Sequence, residues 1–221
     1  MSPALHEEME LQPSPTEAHF LMQIAEAEAR FVSLLSISDP GLELVLNRDT
    51  IKVYSQDTPA GFLLRSEWCT AHSAHDFIAF LSDLEARKTW DKNQESLKEV
   101  AGLGHQTGIF YKTYKGMLGM SRRDMIYVSR WKQHESGWLD ISASVTHPDF
   151  PETAEAVRMQ LYLGGYFAKP VEPGKTQVIC ISECSFGGSI PKAIVKAASI
   201  TTIPSFAKDI EAALTRQKQA A

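Results

Sequence analysis

Residues 108–145 read GIFYKTYKGMLGMSRRDMIYVSRWKQHESGWLDISASV. Three runs in it, 108–115, 124–132 and 138–145, are rich in aromatic and β-branched residues and are bounded by Gly or charged residues, as strands are. The links between them are too short for a helical crossover, so neighbouring strands must pair antiparallel. Working outward, 97–101 upstream and 156–167 and 176–186 downstream read the same way. So do 42–46 and 51–54 around a turn at 47–50, followed by 62–70.

Helical periodicity frames these strands. Ser14-Pro15-Thr16-Glu17 is a helix start with a capping box, and Phe20, Ile24, Ala27, Phe31, Leu34 and Leu35 recur behind it at helical spacing. Asp39-Pro40-Gly41 ends that helix. Two short helices are predicted at 74–82 and 84–92, and one long helix at 191–217. In the long helix Ile194, Ala197, Ala198 and Thr201 form a small-residue stripe expected to pack against some other part of the molecule, with Lys192, Lys196 and Lys208 away from it. The order helix, three strands, two short helices, six strands, long helix has no βαβ alternation and no internal repeat. It predicts a single α+β domain over 14–221 whose curved antiparallel sheet of about nine strands folds around the last helix. Residues 1–13 read as a flexible acidic leader.

Composition narrows the function classes. The 221 residues are 43% hydrophobic and carry 22 basic against 27 acidic side chains, a net charge of −5. That is a globular chain rather than a disordered one, and it lacks the broad basic surface of a general nucleic-acid binder. No apolar run reaches the length of a membrane span, and residues 1–12 hold no positive n-region, so the expected address is cytoplasmic. The three cysteines suit a reducing compartment. Cys180 and Cys184 lie on one strand, too far apart to bridge. His72 and His75 have no further ligands at zinc spacing, so no metal is expected. Glu183, Asp140 and His147 are scattered and make no acid–base constellation, so no catalytic residue is assigned. Gly187-Gly188 has no Gly-Lys-Ser/Thr behind it and reads as a turn into the last helix.

Six segments in this order resemble the START domain, the steroidogenic-regulator-related lipid-transfer family. They are Arg87-Lys88-Thr89-Trp90-Asp91, Ser121-Arg122-Arg123-Asp124, His147-Pro148 with Pro151, Val157-Arg158, Gly187-Gly188-Ser189-Ile190-Pro191 and Pro204-Ser205-Phe206. The resemblance covers roughly residues 40–218 and implies a helix-grip fold with an interior tunnel for one lipid, no cofactor and no catalysis. It is nearest to the phosphatidylcholine-transfer branch. There it implies that Arg87 meets the lipid phosphate, that Asp91 holds Arg87, and that Tyr111 and Tyr162 stand at choline-cage positions, with Met125 at the third. Sterol-binding relatives have an acid in the stretch that corresponds to 105–120, where this chain has none. On residues alone, Arg87 and Asp91 are also an i,i+4 surface ion pair, in the orientation that helps a helix least.

Gly116-Met117-Leu118-Gly119-Met120 places three apolar side chains between glycines, flanked by Lys112, Lys115, Arg122 and Arg123. That combination suits insertion into an anionic bilayer surface. Met117, Leu118 and Met120 are therefore read as a membrane gate, with Pro204 in the last helix as either its hinge or a static kink. The expected function is a cytoplasmic carrier that holds one phospholipid, phosphatidylcholine-like, and exchanges it by transient contact with membranes. A ligand sensor, a carrier of sterol or another lipid, and an enzyme of the wider helix-grip superfamily are the alternatives.

Overall fold

The computed structural model describes residues 15–36, 41–116 and 121–220. The leader and the apolar loop residues Met117, Leu118 and Met120 lie outside the described residues. Helix α1 (Pro15–Ser33) leads into strands β1 (Glu43–Arg48), β2 (Ile51–Thr58) and β3 (Gly61–Thr70), then helices α2 (Ala74–Ser82) and α3 (Leu84–Arg87). Strands β4 (Gln94–Gly104), β5 (Thr107–Tyr114), β6 (Arg123–His134), β7 (Gly137–Ser144), β8 (Val157–Arg158), β9 (Gln160–Glu172) and β10 (Lys175–Ser185) follow, and helix α4 (Lys192–Ala220) closes the chain.

Nine strands form one sheet in the order β1-β2-β3-β10-β9-β7-β6-β5-β4, and every neighbour in that path is antiparallel. Two-residue β8 lies off the path and pairs with β6 in parallel, an exception to the expected hairpin pattern. The sheet has two covered faces. Phe20, Ile24, Ala27 and Phe31 of α1 bury the outer face against Leu63, Ile109, Ile126, Leu139, Ile141 and Leu163. On that face Gly165 is required: a Cβ there would lie 2.4 Å from the Asp140 carbonyl oxygen and 3.1 Å from the Phe31 ring. Helices α2 and α4 bury the inner face, with Phe77, Ile78, Leu81, Ala207, Ile210 and Leu214 on Trp68, Ala168 and Val178.

Two helical expectations change. The segment 84–92 is a four-residue helix followed by a turn, not a helix to residue 92. In α4 the buried residues are Pro204, Ala207, Ile210, Ala213 and Leu214, all in its second part. The stripe of Ile194, Ala197, Ala198 and Thr201 is exposed, Ile194 at 61%. The first part of α4 is instead tied down at its rim, where Lys196 bonds Asp57 on β2. Pro204 sits inside the continuous helix. Around it the hydroxyls of Thr201, Thr202 and Ser205 donate to carbonyls three or four residues back, a pattern that bends helices.

Candidate functional site: a buried charged chamber on the inner face

Strand alternation decides which side chains reach the interior. On β5, Ile109 and Tyr111 belong to the outer-face core, whereas Phe110 and Tyr114 pack on the inner face with Met125, Tyr127 and Met159. On β6, Ser129 shares the inner parity of Met125 and Tyr127; on β7, Asp140 shares that of Trp138. Arg87, at the end of α3, lies over these residues. Its Nε and Nη2 donate to the Leu81 carbonyl at 3.2 and 2.9 Å. That oxygen belongs to the last turn of α2, whose carbonyls lack helical partners and carry the negative end of the dipole. The same Nη2 is 3.9 Å from Asp140 Oδ2. Arg87 Nη1 makes no hydrogen bond to any described residue. A pocket of about 230 Å³ opens here, lined by Arg87, Phe110, Tyr127, Ser129 and Asp140 among others.

The carboxylates are distributed differently from the expectation. Asp91 does not hold Arg87; its side chain pairs with Lys112, and both are nearly sealed, at 9% and 3% exposure. Asp91 does stay one turn from Arg87, since its N–H donates to the Arg87 carbonyl at 3.0 Å. Asp140 is the carboxylate beside Arg87. It accepts from Ser129 Oγ at 3.1 Å, and Ser142 Oγ donates to Ser129 Oγ at 2.9 Å. Burial pushes the Asp140 carboxyl up, against the pull of Arg87. Burial, and then the Arg87 charge, press Lys112 down to about 8. The inner-face hydroxyls and thiols are held protonated: burial pushes Tyr127, Cys180 and Cys184 up to about 12.

The other expected site residues fall as follows. Met125 faces the interior and is buried. Tyr111 faces outward, where its hydroxyl donates to Asp124 Oδ2 at 2.8 Å and its ring lies 4.8 Å from that of Phe150. Tyr162 is the extra residue of a β-bulge, since Leu161 pairs with Cys184 and Leu163 with Glu183, and it is 40% exposed. Two of the four loop-flanking basic residues are not on the surface: Lys112 and Arg123 are buried. Lys115 and Arg122 are exposed, Arg122 paired with Glu95. In sequence Asp140 is one of three scattered acid–base candidates and Lys112 a loop-flanking cation; in the fold both are buried. The signal for Lys112 was its place between Phe110 and Tyr114 at inner parity. Asp124 and Arg158 form a bidentate pair on the outer face, with both bonds at 2.9 Å. Among the described residues no group of three His, Cys, Asp or Glu could hold a metal ion, and no helix is long and apolar enough to cross a membrane.

The START domain family model matches residues 23–220. The chain belongs to the START domain family. Human START domain-containing protein 10 is 25% identical over 167 residues, covering 73% of this chain and 57% of that protein. Mouse ceramide transfer protein is 20% identical over 193 residues, covering 77% and 31%. Mouse acetyl-coenzyme A thioesterase is 24% identical over 151 residues, covering 67% and 27%. This START chain therefore spans between about a quarter and just over half of these relatives' lengths. In fold it is similar to the crystal structure of human STARD10, with a TM-score of 0.76 at 21% identity, covering 98% of this chain and 86% of that one.

Proposed function

We propose that this START domain is a non-catalytic cytoplasmic carrier that holds one phospholipid on its inner face, with the phosphate on Arg87, and exchanges it at membrane surfaces. The observation that carries this reading is Arg87 itself. A guanidinium walled in by α2 and Asp140 keeps one nitrogen without a partner among the described residues at a pocket, and its fork suits a phosphate oxygen pair. Phosphatidylcholine is the reference ligand, as the resemblance implies. Phe110, Tyr114, Tyr127 and Met125 supply the interior aromatic and thioether surface beside Arg87. Acyl chains would lie beneath the first part of α4, none of whose residues before Pro204 is buried. With Pro204 as hinge, that part of the helix and the loop holding Met117, Leu118 and Met120 form the gate. Such a carrier is needed because each methylene costs about 0.8 kcal/mol to expose to water.

The test is transfer of fluorescent phosphatidylcholine between vesicles by wild type and Arg87→Met. Losing a charge-assisted phosphate bond costs about 1.5–3 kcal/mol, roughly tenfold or more in affinity. Wild type should transfer and the folded variant should not. Equal transfer by both would refute the phosphate assignment, and cholesterol displacing phospholipid at equal concentration would refute the lipid class.

A further inference from the structure

We propose that Lys112 makes the headgroup end of the interior a two-cation site, which selects a phospholipid with a net negative headgroup over phosphatidylcholine. The proposal rests on the carrier reading above and deepens it by naming the headgroup class. The first support is position. Strand alternation turns Lys112 inward between Phe110 and Tyr114, its side chain is 3% exposed, and its Nζ lies 4.6 Å from the centre of the Tyr114 ring. Lys112 therefore occupies an aromatic face that would otherwise be open to a quaternary ammonium. Tyr111, a candidate for caging that group, is on the other side of the sheet.

The second support is charge. Arg87 and Lys112 are near enough for the Arg87 charge to depress the lysine, yet at about 8 the ammonium still holds its proton at neutral pH. Among the described carboxylates nearby, Asp91 is engaged by Lys112, Asp140 Oδ2 lies 3.9 Å from Arg87 Nη2, and Glu99 lines the same pocket as Arg87. A trimethylammonium brought among these cations would be repelled by both. The third support is hydrogen-bonding chemistry. Trp90 Nε1–H is buried with no hydrogen-bond partner among the described residues, and the Trp90 ring lies 5.3 Å from the Arg87 guanidinium. Arg87, Lys112 and Trp90 are all donors. A headgroup rich in acceptor oxygens, such as phosphoglycerol or phosphoserine, can satisfy them; trimethylammonium offers no acceptor.

The experiment is an internal competition. The full chain is incubated with vesicles of equimolar phosphatidylglycerol and phosphatidylcholine with identical acyl chains and then re-isolated, and the bound lipid is counted by mass spectrometry. Every variant meets the same membrane, so surface docking is constant. Wild type should be enriched in phosphatidylglycerol by about tenfold or more, the worth of one charge-assisted contact. Lys112→Met should bring the ratio close to one. Should Lys112→Met fail to fold with Asp91 stranded, the Asp91→Asn/Lys112→Met double variant removes both charges and should show the same loss of preference. Phosphatidylcholine bound as well as phosphatidylglycerol by wild type, or an unchanged ratio in the folded variant, overturns the proposal and leaves the carrier reading standing. No lipid bound by wild type overturns both.

Discussion

Truncating Arg158 to Ala should be among the most damaging single changes in the outer half of the molecule. Asp124 is 2% exposed in its side chain, and Arg158 holds it with two bonds of 2.9 Å. The same guanidinium donates to the carbonyls of Phe150 and Pro151 at 3.2–3.3 Å, fastening the connection between β7 and β8. In Arg158→Ala the carboxylate keeps the Tyr111 hydroxyl and the N–H of its own residue. Breaking a buried pair from one side costs about 3–5 kcal/mol, because the remaining charge stays buried. For a chain of this size 1 kcal/mol moves Tm by about 2–4 °C, so the drop should be roughly 6–20 °C at pH 7. Asp124→Asn/Arg158→Met, which strands no charge, should recover much of it. The acid side gives a second check. Burial pushes the Asp124 carboxyl up, but the bonds from Arg158 and Tyr111 more than offset it and hold it below the ordinary range. The contribution of the pair is therefore present above the unfolded value, near pH 4, and is lost as pH falls through the depressed folded value. Calorimetry of both proteins across pH should show the gap wide at pH 7 and closing in acid. A drop below about 2 °C at pH 7, or a gap that persists in acid, would refute the reasoning.

Two further outcomes are expected. Folded Lys112 sits at about 8 against an ordinary 10.5, so below pH 8 its charge opposes folding in full and the cost is relieved as pH rises toward 10.5. The stability of wild type relative to Lys112→Met, from urea unfolding, should therefore rise by up to about 3 kcal/mol across that window, and a flat difference would mean the ammonium is not under this pressure. Replacing Met117 and Leu118 by Ser should slow transfer on anionic vesicles at low salt, since each inserted apolar side chain adds about 1.5–3 kcal/mol of bilayer affinity. Transfer rates equal to wild type would place the membrane contact elsewhere.

The sheet was readable because its strands are consecutive and mostly joined by short turns, so local period-two patterning carried most of the topology. What escaped depended on tertiary pairing rather than on local periodicity. The helix expected to run to residue 92 stops after Arg87, whose side chain turns back to the end of α2. Asp91 pairs with a lysine 21 residues away instead of with its helical neighbour. At Tyr162 one extra residue in β9 breaks the alternation, and no pattern within β9 marks the place. The small-residue stripe of α4 suggested a packed face, yet the helix buries the face carrying Ala207, Ile210 and Leu214, which meets α2 and the far end of the sheet. For Arg87 the resemblance named a residue that lines the inner pocket, with Asp140 rather than Asp91 as the carboxylate beside it. Lys112 was open to a stricter parity argument, since an inward lysine between two aromatic residues on a strand demands an interior carboxylate.

The strand order also sets a timetable for synthesis. Strand β3 ends at Thr70, but the strand that covers its free edge is β10, at Lys175–Ser185. A chain emerging from the ribosome must make more than a hundred residues before that edge can be paired. Until then the β1–β3 meander exposes an unpaired backbone row beside Phe62, Leu63 and Leu64, which are all buried in the finished fold. Exposed apolar edges of this kind recruit other strands. Pairings between segments so far apart also close slowly. Chains stalled or truncated before residue 175 should therefore be the aggregating species, and the first three strands are where a chaperone would be needed.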